Sequence, residues 1–214
     1  MEILQEISEL LQRGRAPKVK ELVAKALEEG VKTQVILEDA LLAGMSVVGD
    51  KFRKNEVFVP EVLVAARAMN AGVELLRPYL IAEGITTKGT AVLGTVKGDL
   101  HDIGKNIVKM MLEGKGLQVI DLGVDVPAET FIQKAIEHNA NVICCSALLT
   151  TTMGEMKAVV EQAVAAGIRD KVKIMIGGAP ITQEFCDEIG ADYYTADGAS
   201  ASEVALKICL GETV

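Results

Sequence analysis

The run Gly98-Asp99-Leu100-His101-Asp102-Ile103-Gly104-Lys105 crowds two carboxylates, an imidazole and a lysine between glycines. His101 is one of two histidines in the chain. A neutral imidazole can hold a metal or pass protons, and a carboxylate beside it fixes its tautomer. Spacing tests other chemistries. A P-loop has four residues between its glycines and then Lys followed by Ser or Thr. Here five residues separate Gly98 from Gly104, and Asn106 follows Lys105. No G-x-G-x-x-G occurs. A zinc site needs three or four clustered ligands; His101 with Asp99 and Asp102 falls short, and His138 lies far off at the end of a helical stretch. Each residue also has a plain reading: Asp102 caps a helix, the glycines shape a turn, and Lys105 is a solvated cation.

The elements that must position this loop come in two kinds. Up to residue 84 the pattern is helical only. Apolar residues recur at helical spacing at Ile3, Ile7, Leu10 and Leu11, and again at Val19, Leu22, Val23 and Leu27, with Gly30 as the stop. A third helix is expected over 33–54, with Leu37, Leu41, Met45, Val48 and Phe52 on its stripe. A fourth starts at Pro60, and Pro78 is expected to end or kink it. The expectation is a four-helix bundle over 1–84. After the linker Gly84–Gly89 the chain alternates between short apolar runs and helical stretches. Strands are expected at Ala91–Val96, Gln118–Leu122, Val142–Ala147, Val172–Ile176 and Asp192–Thr195. That alternation implies an α/β domain over 89–214, a flavodoxin-like, five-stranded parallel sheet with helices on both faces. In a 2-1-3-4-5 strand order, ligands bind where the order reverses, so the loops after Val96 and Ala147 are the ones to inspect.

Asp99-x-His101-x-x-Gly104 resembles the D-x-H-x-x-G signature of cobalamin-binding domains. Two further elements of that family are present in order: Ser146-Ala147-Leu148 as its S-x-L, and Gly177-Gly178 as its Gly-Gly after the fourth strand. The resemblance implies cobalamin or a related corrinoid held base-off, His-on, with His101 as the lower ligand of cobalt. It implies that Asp99 accepts from the far imidazole nitrogen and that a hydroxyl continues the relay; Thr152 stands where the methionine-synthase relatives have Ser. Gly98, Leu100, Asp102, Ile103, Ser146, Leu148, Thr150, Gly177 and Gly178 match corrinoid contacts, and Ala199 matches one near the nucleotide tail. The glycines are expected to let the backbone approach the inserted base and its phosphate.

The helical half discriminates among relatives. Met45–Phe52, Val57–Leu63 and Ala65–Met69 resemble the cap of methionine synthase and of the small corrinoid proteins of methanol and methylamine methyltransferase systems. Phe52, Val59 and Val62 match apolar cap positions, with Val59 where the methionine synthase pattern has Leu, and Glu38 matches a cap carboxylate. The implied function is a methyl carrier. Cob(I)alamin takes a methyl group from a substrate-specific methyltransferase, and methyl-Co(III) passes it to a second methyltransferase acting on a pterin or thiol acceptor, with a reductive activator as further partner. The alternatives are a cobalamin-dependent regulator, which usually adds a DNA-binding module, and a mutase small subunit, which lacks the cap. A flavodoxin-like protein that binds no cobalamin is a third.

Bulk properties restrict the partners. The chain has 214 residues, half of them apolar, no Trp and a net charge of −8. That charge and the lack of a Lys/Arg cluster argue against nucleic acid. Cys144, Cys145, Cys186 and Cys209 form no C-x-x-C pair and are expected to be buried and reduced. With no signal-peptide pattern and no apolar run long enough to span a membrane, the expected location is cytoplasmic.

Overall fold

The computed structural model describes residues 2–214. The chain divides into two compact units. One runs to Thr87 and takes in Gly114–Gly116; the other is Lys88–Glu113 with Leu117–Val214.

The first unit is helical. It contains α1 (Glu2–Gln12), α2 (Ala16–Glu28), α3 (Thr33–Val35), α4 (Ala43–Arg53) and α5 (Val59–Ala82). Between α3 and α4 the chain winds as a π-helix over Ile36–Leu42. The expected single helix over 33–54 is therefore widened in its first half. A π turn carries an extra residue, so Ile36 and Leu41, five apart, are both fully buried, while Leu37 of the expected stripe is only half-buried. The core also includes Ile7, Leu11, Val19, Val23, Met45, Met69 and Leu76. Each such side chain contributes roughly 1.5–3 kcal/mol by leaving water. Gly72 lets α5 approach the π segment, since a Cβ there would lie 2.9 Å from Leu41 Cδ2. Phe58 precedes α5, and its N–H donates to Glu61 Oε2 at 2.9 Å. Pro78 does not end α5, which continues to Ala82. The ring removes one N–H, and the helix closes normally beyond it, with Glu83 N–H donating to Tyr79 O at 2.9 Å.

The second unit is the expected doubly wound domain. Its parallel sheet has the order β2-β1-β3-β4-β5. The strands are β1 (Thr90–Thr95), β2 (Gln118–Asp121), β3 (Val142–Ser146), β4 (Lys173–Gly177) and β5 (Tyr193–Tyr194). The helices are α6 (Ile103–Gly114), α7 (Ala128–Glu137), α8 (Gly154–Ala165), α9 (Gln183–Ile189) and α10 (Gly198–Leu210). Successive strand residues face opposite ways, and both faces are covered. Val92, Ile143, Ile174 and Ile176 join Phe131, Met156 and Val160 on one side. Leu93, Val142, Cys144 and Met175 join Leu112, Ala201 and Ala205 on the other. A Cβ at Gly94 would lie 2.8 Å from Phe131 Cζ, so that glycine seats the fully buried ring. β1 pairs with β2 on one edge and β3 on the other. The order reverses between β1 and β3, and the two loops that leave their carboxyl ends meet there.

Candidate functional site

Asp99 joins those two loops. It is completely buried. Oδ2 accepts from Leu148 N–H at 2.8 Å, Leu149 N–H at 3.1 Å and the Thr152 hydroxyl at 2.9 Å. Oδ1 takes the His101 N–H at 3.1 Å and lies 2.7 Å from His101 Nδ1. Burial alone would raise this carboxyl. The hydrogen bonds from Leu148, the His101 ring and backbone, and Leu149 outweigh it and hold Asp99 well below the usual carboxylate range. An ionised carboxylate only accepts, so Nδ1 carries the hydrogen in neutral His101 and Nε2 keeps its lone pair. The His101 side chain is half exposed, which leaves Nε2 reachable from outside.

Thr152 closes the relay. Its Oγ1 lies 2.9 Å from both Asp99 Oδ2 and Leu149 O, so its one hydrogen serves one acceptor at a time. The extra methyl leaves this geometry intact by pointing to the Gly98 side: a Cβ on Gly98 would stand 3.5 Å from Thr152 Cγ2. Gly98 itself has φ +79°, which a glycine adopts without strain.

The rest of the loop divides into exposed apolar residues, exposed polar ones and a buried lysine. Leu100 (71 % exposed) and Ile103 (69 %) are large apolar side chains left in water, as are Leu148 and Leu149 across the switch point. Asp102 is exposed and accepts from the Asn106 side chain at 3.1 Å. Gly104 is in the first turn of α6, and beyond its chain neighbours and the backbone of its own helix no protein atom lies within 4 Å of where its Cβ would be. Lys105 is not solvated. It is buried and donates to Asp121 Oδ1 at 2.7 Å and Asn106 Oδ1 at 2.8 Å. Burial would raise Asp121, but Lys105, the Gly123 N–H and Lys109 lower it overall.

Ser146 ends β3 and is half-buried, in register with Thr95 and Gly177 on its two neighbours. Thr150 is exposed in a short 3-10 turn ahead of α8. Gly178 has φ +136°, and a Cβ there would stand 1.8 Å from Ala147 O. The protein's own backbone requires glycine at that point, whatever is bound nearby. Ala199 is buried in the first turn of α10, whose N-cap Asp197 accepts from Ser200 N–H at 2.9 Å. In the helical unit, Phe52 and Val59 are half-buried, Val62 is fully buried, and Glu38 sits exposed in the π-helix, accepting from Gln34 at 3.3 Å. The second unit brings Asp99, His101, Leu148 and Thr152 together. Sequence reasoning missed the Leu149 N–H and the Thr95 hydroxyl, which donates to His101 O at 2.8 Å. Leu149 acts through its backbone, and Thr95 sits inside an apolar strand; neither leaves a signature in residue types.

A doubly wound domain with one half-exposed, carboxylate-backed imidazole at its switch point, rimmed by bare apolar side chains, is a cofactor-binding module. Residues 89–206 match the B12 binding domain family, and residues 3–77 match a second B12 binding domain description. The chain belongs to the family of cobalamin-binding corrinoid proteins. It is 47 % identical to trimethylamine corrinoid protein 1 of Methanosarcina mazei over 88 % of this chain and 87 % of that one. It is 44 % identical to dimethylamine corrinoid protein 1 of the same organism over 99 % and 98 %. Among solved structures it resembles the methanol:cobalamin methyltransferase complex of Methanosarcina barkeri (TM-score 0.88, 34 % identity, 99 % of this chain and 81 % of that one). It also resembles a cobalamin-binding protein from Desulfitobacterium hafniense (TM-score 0.79, 29 % identity, 96 % and 98 %).

Proposed function

We propose that the chain carries methyl groups between two methyltransferases on a corrinoid held base-off with His101 as the lower ligand of cobalt. The observation that carries this reading is the Asp99–His101 pair, 2.7 Å apart, at the exposed switch point. Asp99 is taken up by the donors around it, so of the pair only Nε2 of His101 is left to bind a metal, with Asp102 the one exposed carboxylate in the same loop. That suits a metal whose other ligands come with a macrocycle. The open space at Gly104 and the exposed Leu100, Ile103, Leu148 and Leu149 fit a bulky, partly apolar ligand.

The bound corrinoid supplies a cobalt centre that can accept a methyl group and release it. The protein's own part is orientation and electrostatics. Asp99 holds the Nδ1 proton, sets the ring plane and makes Nε2 a stronger donor. Thr152, Leu148 and Leu149 keep Asp99 ionised and still. Phe52, Val59, Val62 and Glu38 are the cap residues in this proposal. The partners are a substrate-specific methyltransferase, a second one using a pterin or thiol acceptor, and a reductive activator. A methylated amine is the donor class this reading favours, because the trimethylamine and dimethylamine corrinoid proteins are 47 % and 44 % identical to this chain.

The test is electron paramagnetic resonance of the Co(II) form in protein carrying nitrogen-15 histidine. Wild type should show coupling to one imidazole nitrogen, and His101→Ala should lose it. An unchanged pattern in the variant would overturn the ligand assignment.

A further inference from the structure

The loop after β2 grips the His101 loop through Asp125. Its Oδ1 accepts the Gly98 N–H at 2.7 Å. Its own N–H donates to the Asp99 backbone O at 2.9 Å. These groups lie on either side of the Asp99 Cα: one is the N–H of the preceding residue, the other is the carbonyl of Asp99 itself. Fixing both, with the Asp99 N–H itself donating to Val96 O at 3.2 Å, restrains the backbone on each side of Asp99 and so narrows where the buried carboxylate can point.

Asp125 makes these contacts from a left-handed backbone, φ +55°. That conformation is unfavourable for most residues with a side chain, and Asp tolerates it better than most. The neighbours lock it in place. Val126 N–H donates to Thr95 O at 3.0 Å, and Thr95 N–H donates to Gly123 O at 2.9 Å. Thr95 in turn donates its hydroxyl to His101 O. The β2–α7 loop is thus tied to the end of β1 and, through Asp125 and Thr95, to the His101 loop. Strained residues held by their surroundings cluster at functional sites.

We propose that Asp125 is a positioning residue for the cobalt ligand: its two-point grip on Gly98 and Asp99 aligns the Asp99 carboxylate so that His101 keeps its proton on Nδ1 and presents Nε2. This rests on the ligand role proposed for His101, but the alignment itself belongs to the protein alone and can be read without cofactor.

Three variants of the full chain separate the possibilities. Asp125→Asn keeps a side-chain acceptor and tolerates the left-handed backbone. Asp125→Gly keeps only the backbone freedom. Asp125→Ala keeps neither. The first readout is the His101 tautomer in the apo protein, from nitrogen-15 imidazole correlations above the imidazole titration. Free neutral histidine prefers the Nε2–H form, so an Nδ1–H signal reports the Asp99 contact. Wild type and Asp125→Asn should be Nδ1–H. Asp125→Gly and Asp125→Ala should shift toward Nε2–H by on the order of ten-fold, the scale of a lost charge-assisted hydrogen bond. The second readout is the His-on fraction of bound Co(II) cobalamin, which should fall in the same two variants and recover in Asp125→Asn. If Asp125→Ala does not fold, the Gly and Asn variants decide. A wild-type tautomer in Asp125→Gly overturns the role of the side-chain acceptor, and a shifted one in Asp125→Asn overturns the claim that a neutral acceptor is enough for the grip. A shifted tautomer with no His-on species even in wild type would keep the alignment and remove the ligand assignment.

Discussion

The protein itself leaves room for a side chain at Gly104, and substitution there should show whether a ligand uses that space. Gly104 begins a helix with empty space beside it. Ala is a better helix former by about 1 kcal/mol. Gly104→Ala is therefore expected to raise the apo protein's stability by up to about 1 kcal/mol while weakening cobalamin binding, as read by thermal melts and spectral titration. Equal affinity in the variant would mean that the space is not used by the ligand. Thr152 allows a second comparison. Thr152→Val keeps the volume but leaves Asp99 one donor short, and should cost about 1 kcal/mol in denaturant unfolding. Thr152→Ser keeps the hydroxyl and should lose less. A Val variant as stable as wild type would show that the hydroxyl hydrogen rests on Leu149 O instead. The crowded loop at a strand end made Asp99 and His101 legible from the sequence, and resemblance to the cobalamin-binding family added Thr152. Neither could reveal that Asp99 has five donors, because three of them are backbone N–H groups.

The elements show where periodicity works and where it fails. The positions of the strands followed from short runs alternating with helical stretches, most plainly for the central β1, β3 and β4, whose two covered faces need apolar residues. The sheet order came from the flavodoxin-like fold that the alternation suggested. The π-helix at Ile36–Leu42 did not follow from the pattern, since a period of 3.6 leaves no room for the extra residue per turn. The plain reading of Lys105 as a solvated cation fails, because Asp121, distant in sequence at the end of β2, lies where the buried ammonium can donate to it. That pair ties the start of α6 to the sheet. Asp121 is held below its ordinary value, near 4 for a model aspartate, so its contribution is present above that pH and is lost as the solution is acidified through and below it. Lys105→Met should lower stability at pH 7 by about 1–3 kcal/mol and flatten its fall on acidification below pH 4. Unfolding curves at pH 3, 5 and 7 would check both; a parallel loss at every pH would mean that packing of the lysine stem is what matters.

Across the whole chain the chemistry is confined. Cys144, Cys145 and Cys186 are buried, while Cys209 is partly exposed, which modifies the expectation that all four would be buried. Burial pushes the Cys144 thiol up to about 12 and Cys209 up to about 11. At pH 8 a thiol reagent should therefore label the native protein slowly, Cys209 first, and all four cysteines only after denaturation; fast labelling of Cys144 or Cys145 would show that the sheet opens readily. No helix among the described residues is long and apolar enough to cross a membrane. The donors around Asp99 all fall between His101 and Thr152, inside the second unit. A fragment of residues 88–214 that folds should therefore retain cobalamin with its imidazole ligand. A folded fragment that binds no cobalamin would mean that the helical unit helps build the site.

Gly178 changes how a colour screen of such variants should be interpreted. The peptide whose oxygen lies 1.8 Å from a would-be Cβ on Gly178 is Ala147–Leu148, and the N–H of that same peptide donates to Asp99. Any side chain at Gly178 must displace that peptide and turn its N–H off the carboxylate. Bleached colonies at this codon would look like damage to the corrinoid footprint. The same loss of colour would follow from displacing the peptide that holds one carboxylate across two loops, so bleaching at this codon does not by itself place Gly178 against the corrinoid.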